Sequence, residues 1–144
     1  MTPKSFNAAA AYQRVGVQTR AAEHDQYQLV VMMYEAILEN LTRARGAIEQ
    51  GNVAAKIDHI TKSMRILQEG LRTSLDLENG GELAANLANL YEYCAMRMTQ
   101  ANASNDVAKL EEVSALLQSV YEAWKQMRPT AQAAQETQAA TPTA

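Results

Sequence analysis

Over residues 23–50 apolar side chains return at every third or fourth position, as Val30, Met33, Tyr34, Ile37, Leu41, Ala44 and Ile48. That spacing lines them along one face of an α-helix. Leu29, Val31, Met32 and Leu38 widen the stripe, so the predicted helix meets more than one neighbour. Gly51 suits the position just past a helix end, and Asn52 suits an N-cap for the next helix. A second helix is predicted over 53–76. Its seam is Val53, Ile57, Ile60, Met64, Leu67, Leu71 and Leu75, with Lys56, Asp58, Lys62, Glu69 and Arg72 off it and Ile66 facing a second contact. Asn79-Gly80-Gly81 closes that element, since glycine takes the left-handed angles common at a helix exit. A third helix, from 81 or 82 to 101, carries Leu83, Leu87, Leu90, Cys94, Met98 (or the aliphatic stem of Arg97) and Ala101 on its seam. Tyr91 flanks that seam, and Tyr93 and Met96 lie further round. Asn105-Asp106 suits a helix start, and Val107, Leu110, Val113, Leu117, Val120, Tyr121 and Trp124 stripe a fourth helix over 106–127.

The two ends lack this pattern. In residues 1–22 a helical turn or two is expected over 7–12, after which Val15, Gly16, Val17 and Thr19 favour extended chain. Two readings stand for this segment: a frayed terminus, or an arm that lies in a groove and can be displaced. Residues 128–144 contain Pro129 and Pro142 and no aliphatic side chain larger than alanine. They read as a mostly disordered tail whose Ala/Gln run extends the helix transiently. Between them, over 23–127, four helices of about 30–40 Å are joined by short connections, which makes neighbours antiparallel. The expected fold is all-α, an antiparallel up-down-up-down four-helix bundle with an N-terminal arm that is helical only in part.

Composition agrees with helix over sheet, because Ala, Leu, Met, Gln and Glu dominate and lose little on becoming helical. Thirteen basic and sixteen acidic residues, well mixed, leave a net charge of −3. Such a surface has no field to gather phosphate, so nucleic acid is disfavoured as a partner. Cys94 is the single cysteine and cannot form an internal disulfide. With no secretory signal and no apolar run of ~18 residues, membrane insertion is not expected and the expected compartment is the reducing cytosol.

Chemistry is sparse. A di-iron bundle needs Glu-x-x-His pairs, and neither His24 nor His59 stands three residues after a glutamate. Met64 and Met98 sit on apolar seams, where thioethers fill gaps more often than they bind soft metals. No nucleophile setting or phosphate-cradling loop is evident, and Gly80-Gly81 is explained more simply by a turn than by an anion site. No enzyme, metal or cofactor is expected. What remains is surplus apolar surface. Leu29, Val31, Met32, Ile66, Tyr93, Met96 and Leu116 either thicken the core or line grooves that accept a partner helix.

Residues 71–102 carry a resemblance. Leu75-Asp76, Gly80-Gly81-Glu82, Asn86-Leu87, Leu90-Tyr91-Glu92-Tyr93 and Ala101-Asn102 resemble the central signature of the flagellar secretion chaperone FliS family. Ala11-Tyr12-Gln13-Arg14-Val15 is similar to its N-terminal motif, and Met33-Tyr34-Glu35-Ala36 to a segment of its first long helix. Asn105-Asp106, Glu111-Glu112-Val113 and Ala123-Trp124 match its last-helix landmarks in order, so the resemblance covers about residues 11–127. Two positions depart from it: Ala36 stands where many members have glycine, and 22–26 lack the proline that often precedes the first long helix.

The resemblance implies a cytosolic bundle that binds the C-terminal region of flagellin and prevents its polymerisation before type III export. For the partner groove the expected residues are Leu71, Leu75, Asn86, Leu87, Leu90, Tyr91, Tyr93, Leu117 and Trp124, with Leu87 and Leu90 the more structural and Asn86, Tyr91 and Tyr93 the more exposed to a partner; Tyr12 and Val15 of the arm are expected to occupy part of it in the free protein and to leave when flagellin binds. The resemblance also admits the export apparatus and other flagellar regulators as partners, and leaves monomer or homodimer open. The reading from a different class is a self-associating helical scaffold or regulatory adaptor of the export system.

Overall fold

The computed structural model describes the backbone of residues 21–140 and the side chains of 26–127. Four helices and no strand occur among the described residues, and together they form an all-α bundle. Helix α1 spans Ala21–Gln50. Helix α2 spans Val53–Arg65 and runs on without interruption into a π-helical segment, Ile66–Arg72. Helix α3 spans Gly81–Ser104 and α4 spans Val107–Ala140. Tyr12 and Val15 lie outside the described residues.

The stripe expected on α1 forms the centre of the core: Tyr34, Ile37, Leu41 and Ala44 are fully buried, with Val30 and Met33 close behind. Ile60, Leu67 and Leu71 meet it from α2 and the π segment, Tyr91, Cys94 and Met98 from α3, and Leu110, Val113 and Leu117 from α4. Polar links show how the helices run. Tyr27 near the start of α1 donates its hydroxyl to the Trp124 carbonyl at 2.6 Å, while Arg45 near the end of α1 pairs with Glu111 near the start of α4 at 3.5 Å. These two helices therefore point in opposite directions. The same holds for α2 and α3, where Lys56 reaches Asn102 and Arg72 reaches Glu92.

Three expectations about the elements change. The second helix stops at Arg72, four residues short of Asp76, because its last turns are π-wound and the chain then leaves as a loop over 73–80. Asn52 caps α2 as expected, accepting the Ala55 N–H at 3.1 Å. Asn105, however, ends α3 in the left-handed conformation at φ 54°, so Asp106 alone starts α4 by accepting the Ala108 N–H at 3.1 Å. The fourth helix runs past Met127, through Pro129 to Ala140. A proline inside a helix forfeits one hydrogen bond, and the Ala, Gln and Glu that follow it are good helix formers.

The seam of α2 is also rotated at its start. Val53 and Ile57 are exposed, whereas Lys56, expected off the seam, is only 6 % exposed. The cause is polar. The Lys56 ammonium donates to the Asn102 carbonyl at 2.9 Å and to Asn105 Oδ1 at 2.6 Å, closing the carbonyl end of α3. A cation there satisfies a helix-end acceptor and complements the helix dipole. The aliphatic stem of the lysine takes the buried place that Ile57 was expected to fill.

At the middle of the bundle the Tyr34 and Tyr91 hydroxyls face each other at 2.5 Å. Both rings are buried, so each phenol is the other's hydrogen-bond partner in a region closed to water. Burial raises the Tyr34 and Tyr91 pKa values above the usual tyrosine value and pushes the neighbouring Cys94 thiol up to about 12.

Two predictions follow from this packing. Replacing Lys56 by methionine strands the Asn102 carbonyl and the Asn105 side chain, and should lower unfolding free energy by ~1–3 kcal/mol. Lys62→Met breaks only an exposed pair with Asp58 and should cost less than ~0.5 kcal/mol; thermal melts of the two variants compare them. The second concerns alkaline pH. Between the ordinary thiol and phenol values of 9.0 and 10.0 the unfolded chain loses protons that the folded chain retains. Stability from these groups is thus complete below pH 9 and declines as pH rises toward about 12. Melting temperatures should fall above pH 9, and Cys94→Ala should flatten the first part of that fall.

Candidate partner-binding cleft

Loop 73–80 is fixed by its own polar side chains. Thr73 Oγ1 donates to the Glu69 carbonyl at 2.6 Å and Ser74 Oγ to the Leu71 carbonyl at 2.7 Å, which together close the end of the π segment. Asp76 Oδ1 accepts the backbone N–H groups of Glu78 and Asn79 at 3.2 and 3.0 Å, and Asp76 Oδ2 accepts from the Asn79 side chain at 3.2 Å. These bonds from Asn79 hold the Asp76 carboxyl below the usual carboxylate range. The Gly80 N–H returns to the Asp76 carbonyl at 2.7 Å.

The two glycines serve this loop and the start of α3, with different demands. A Cβ on Gly80 would strike the Asp76 carbonyl oxygen and lie 2.6 Å from Ala84 Cβ. Gly81 has open space around it but sits at φ +64°, where L side chains are strained. Only Gly81 adopts the left-handed angles that were expected of the pair as a helix exit.

The loop, the first turns of α1 and α3, the end of the π segment and Trp124 on α4 enclose a cleft of about 240 Å³. Buried Val30, Leu71 and Tyr91 form its floor. Half-buried Leu75, Leu87 and Trp124 wall it, and Leu83, 64 % exposed, stands at its lip. Gln26, Ser74 and Asp76 supply polar groups at the margin. The cleft is a little under the ~300 Å³ at which small-molecule sites begin and opens to solvent on one side, so an aromatic probe enters it only in part. Its size and apolar lining suit a few side chains from one face of an amphipathic helix.

Five of the expected contact residues therefore meet in one place: Leu71, Leu75, Leu87, Tyr91 and Trp124. Their roles differ from expectation. Leu71 and Tyr91 belong to the core and show the cleft only their edges, Tyr91 because its hydroxyl is committed to Tyr34. Leu117 is fully buried in the core and offers no surface. Leu90 is half-buried against the core and Asn86 is exposed; neither lines the cleft. Leu83 and Val30 line it without having been singled out. Leu83 lies in register with the α3 seam, so spacing alone placed it inside, and only the turn at 80–81 leaves it at the rim.

Tyr93 lies apart from the cleft, 38 % exposed on the outer side of α3. Its hydroxyl donates to Glu112 Oε2 at 2.5 Å, Arg97 Nε donates to Glu112 Oε1 at 2.7 Å, and the guanidinium lies 5.8 Å from the Tyr93 ring centroid. The bond to Glu112 raises the Tyr93 phenol, and the bonds from Tyr93 and Arg97 lower the Glu112 carboxyl. Met96, also exposed, lies on the same helix three residues on. Among the other groove candidates, Val31 is buried, Leu29, Ile66 and Leu116 pack partly buried against the core, and Met32 is exposed.

No group of three or more His, Cys, Asp or Glu side chains that could hold a metal occurs among the described residues. No described helix is long and apolar enough to cross a membrane.

Comparison with known proteins is unambiguous at the family level. A model of the family described as flagellar protein FliS matches residues 8–131. The flagellar secretion chaperone FliS of Salmonella typhimurium is 42 % identical over 121 residues, covering 84 % of this chain and 90 % of that protein. The FliSB protein of Pseudomonas aeruginosa, also named a flagellar secretion chaperone, is 41 % identical over 120 residues, covering 83 % and 94 %. The Escherichia coli FliS is 40 % identical over 116 residues, covering 81 % and 85 %. With a family model spanning the bundle and relatives aligned over most of both chains, this protein belongs to the FliS family of flagellar proteins.

Proposed function

We propose that this protein is a cytosolic export chaperone that takes the C-terminal region of flagellin into its apolar cleft and keeps that region from polymerising before type III flagellar secretion. The observation that carries the reading is the cleft itself, which gathers Leu75, Leu83, Leu87 and Trp124 around a buried floor and has nothing of the chain's described residues filling it. Its relatives bear the name of secretion chaperones, which agrees with a site for a polypeptide and with a function that needs no reaction step.

Energetically, an unfolded partner segment gains ~25 cal/mol for each Å² of apolar surface it buries. That gain is set against the entropy of ordering the segment as helix. A chaperone of this kind therefore binds through several separate apolar contacts. Tyr93 and Asn86, exposed on α3 away from the cleft, are assigned to the continuation of the same partner along the bundle. The N-terminal arm bearing Tyr12 and Val15 is assigned to the cleft in the free protein, from which flagellin displaces it. The competing reading, self-association, draws on the exposed Met32, Val53 and Ile57, which lie outside the cleft lining. It requires gel filtration of the protein alone to show a dimer or larger species.

Leu83→Ser tests the cleft directly, because Leu83 is exposed and its loss leaves the core intact. Affinity for a flagellin C-terminal fragment, measured by calorimetry, should fall by a factor of about ten, as removal of ~1.5 kcal/mol of apolar burial requires. Melting temperature should stay unchanged, and undiminished affinity would remove the cleft from the site. Tyr93→Ala should likewise weaken binding with little change in melting temperature; a large drop in melting temperature would make Tyr93 structural. Deleting residues 1–20 should leave affinity equal or higher if the arm competes for the cleft. A sharp fall would instead make the arm part of the binding surface.

A further inference from the structure

The helical seam of α2 does not stop where the helix stops. Leu67, Leu71 and Leu75 stand at successive steps of four, and an α-helix continued to 76 would carry Leu75 round with them. In the structure the chain instead changes winding. The Ile66 N–H is shared between the Lys62 and Ser63 carbonyls, and the segment Ile66–Arg72 is π-wound. Bonding from i to i+5 takes one more residue into each closed turn than α bonding does, and such turns are uncommon and concentrate at functional sites. This one spends its extra length immediately before the cleft. Leu71, within it, is cleft floor, and loop 73–80 that emerges from it supplies Ser74, Leu75, Asp76 and Gly80 to the cleft.

Three further observations show that the π winding is set by its surroundings. Gly70, buried in the segment, lies so close to α1 that a Cβ would come within 2.5 Å of Met33 Sδ. A glycine is costly in a regular helix, and here it permits the approach. Thr73 and Ser74 turn their hydroxyls back onto the Glu69, Gly70 and Leu71 carbonyls, taking acceptors that a continuing helix would use. Arg72 Nε at the end of the segment is buried without a hydrogen-bond partner, although the guanidinium pairs with Glu92 at 3.6 Å. A buried donor left unpaired marks an arrangement held by its neighbours at some local cost.

We infer that the π-helical segment is the device that opens the cleft. It ends α2 one turn early and swings Leu75 from the helix seam into the cleft wall, and α winding through 76 is the alternative state in which the cleft is closed. A ligand in the cleft contacts Leu71 and Leu75 in their π-state positions, and so favours that state. The inference needs the cleft, whatever occupies it, and stands apart from the identity of the partner.

Trp124 lines the cleft and is the single tryptophan of the chain, so the position of its emission maximum reports on the surroundings of this site. The test removes exposed Gln68, which takes one residue out of the π segment and returns it to α winding. In the full-length chain, the Gln68 deletion should keep its far-UV circular dichroism and bind anilinonaphthalene sulfonate at least about fivefold more weakly, with energy transfer from Trp124 reduced in proportion. Gln68→Ala, which keeps the residue count, should bind the dye as the natural chain does. A folded deletion variant that binds dye with unchanged affinity overturns the inference.

Hydrogen exchange on the natural chain decides the matter independently of whether that variant folds. Amides of 67–75 should exchange faster than those of 57–63 in the same helix, and dye in the cleft should slow the first set by about fivefold or more. Equal exchange in both stretches with no response to the dye would show a static segment and overturn it.

Discussion

Two phenols in the middle of the bundle must satisfy each other. Tyr34 on α1 and Tyr91 on α3 are buried beyond reach of water, and an unpaired hydroxyl there would cost about 1–3 kcal/mol. Their mutual bond fixes the height and rotation of α3 against α1. That rotation decides what α3 shows at its N-terminal end: Ala84 and Ala88 inward, Leu87 half in, and Leu83 out at the rim. Tyr91 is at once half of the core bond and part of the cleft floor, so the site inherits its geometry from the core.

Among the described residues the other inward polar groups close a helix end, tie two helices or, as with Ser63 Oγ on the His59 carbonyl at 3.0 Å, bond back within their own helix. Lys56 closes α3, the Tyr27 hydroxyl ties α1 to the Trp124 carbonyl, and the Tyr121 hydroxyl reaches Glu35 at 2.6 Å. The first of these seats the far end of the bundle. The second holds Trp124 where it walls the cleft, with the Tyr27 ring 5.6 Å from it. Exposed ion pairs such as Arg43–Glu39 and Lys62–Asp58 lie on outer faces and contribute little to stability. The chain thus separates a strongly specified core from a surface whose apolar groups are unspent, and the cleft lies at the boundary of the two.

The four helices were legible because three- and four-residue spacing survives any detail of packing, as the burial of Tyr34, Ile37, Leu41, Cys94, Met98, Leu110 and Val113 illustrates. What spacing could not reveal were the places where a polar demand or a change of winding overrides it. Lys56 is buried because α3 ends on it, and Ile57 is exposed as a result. Leu75 leaves the seam because the preceding turns are π-wound, which two successive steps of four after Leu67 hint at but do not announce. Tyr91 looked like a surface residue beside the seam until its partner Tyr34, far away in sequence, accounted for its hydroxyl. Of the residues expected to face a partner, Leu71, Leu75, Leu87, Tyr91 and Trp124 line the cleft, and Leu83 was not among them, since only the crowded Gly80 and left-handed Gly81 place it at the rim.

The proposed chaperone function requires a partner segment that is unstructured alone and becomes helical in the cleft. Titrating a flagellin C-terminal fragment into the full-length protein, with circular dichroism at 222 nm and Trp124 emission followed together, tests this most directly. Helical signal should rise above the sum of the separate components, and the emission should shift at the same stoichiometric point. Additive circular dichroism with unmoved Trp124 emission would contradict it.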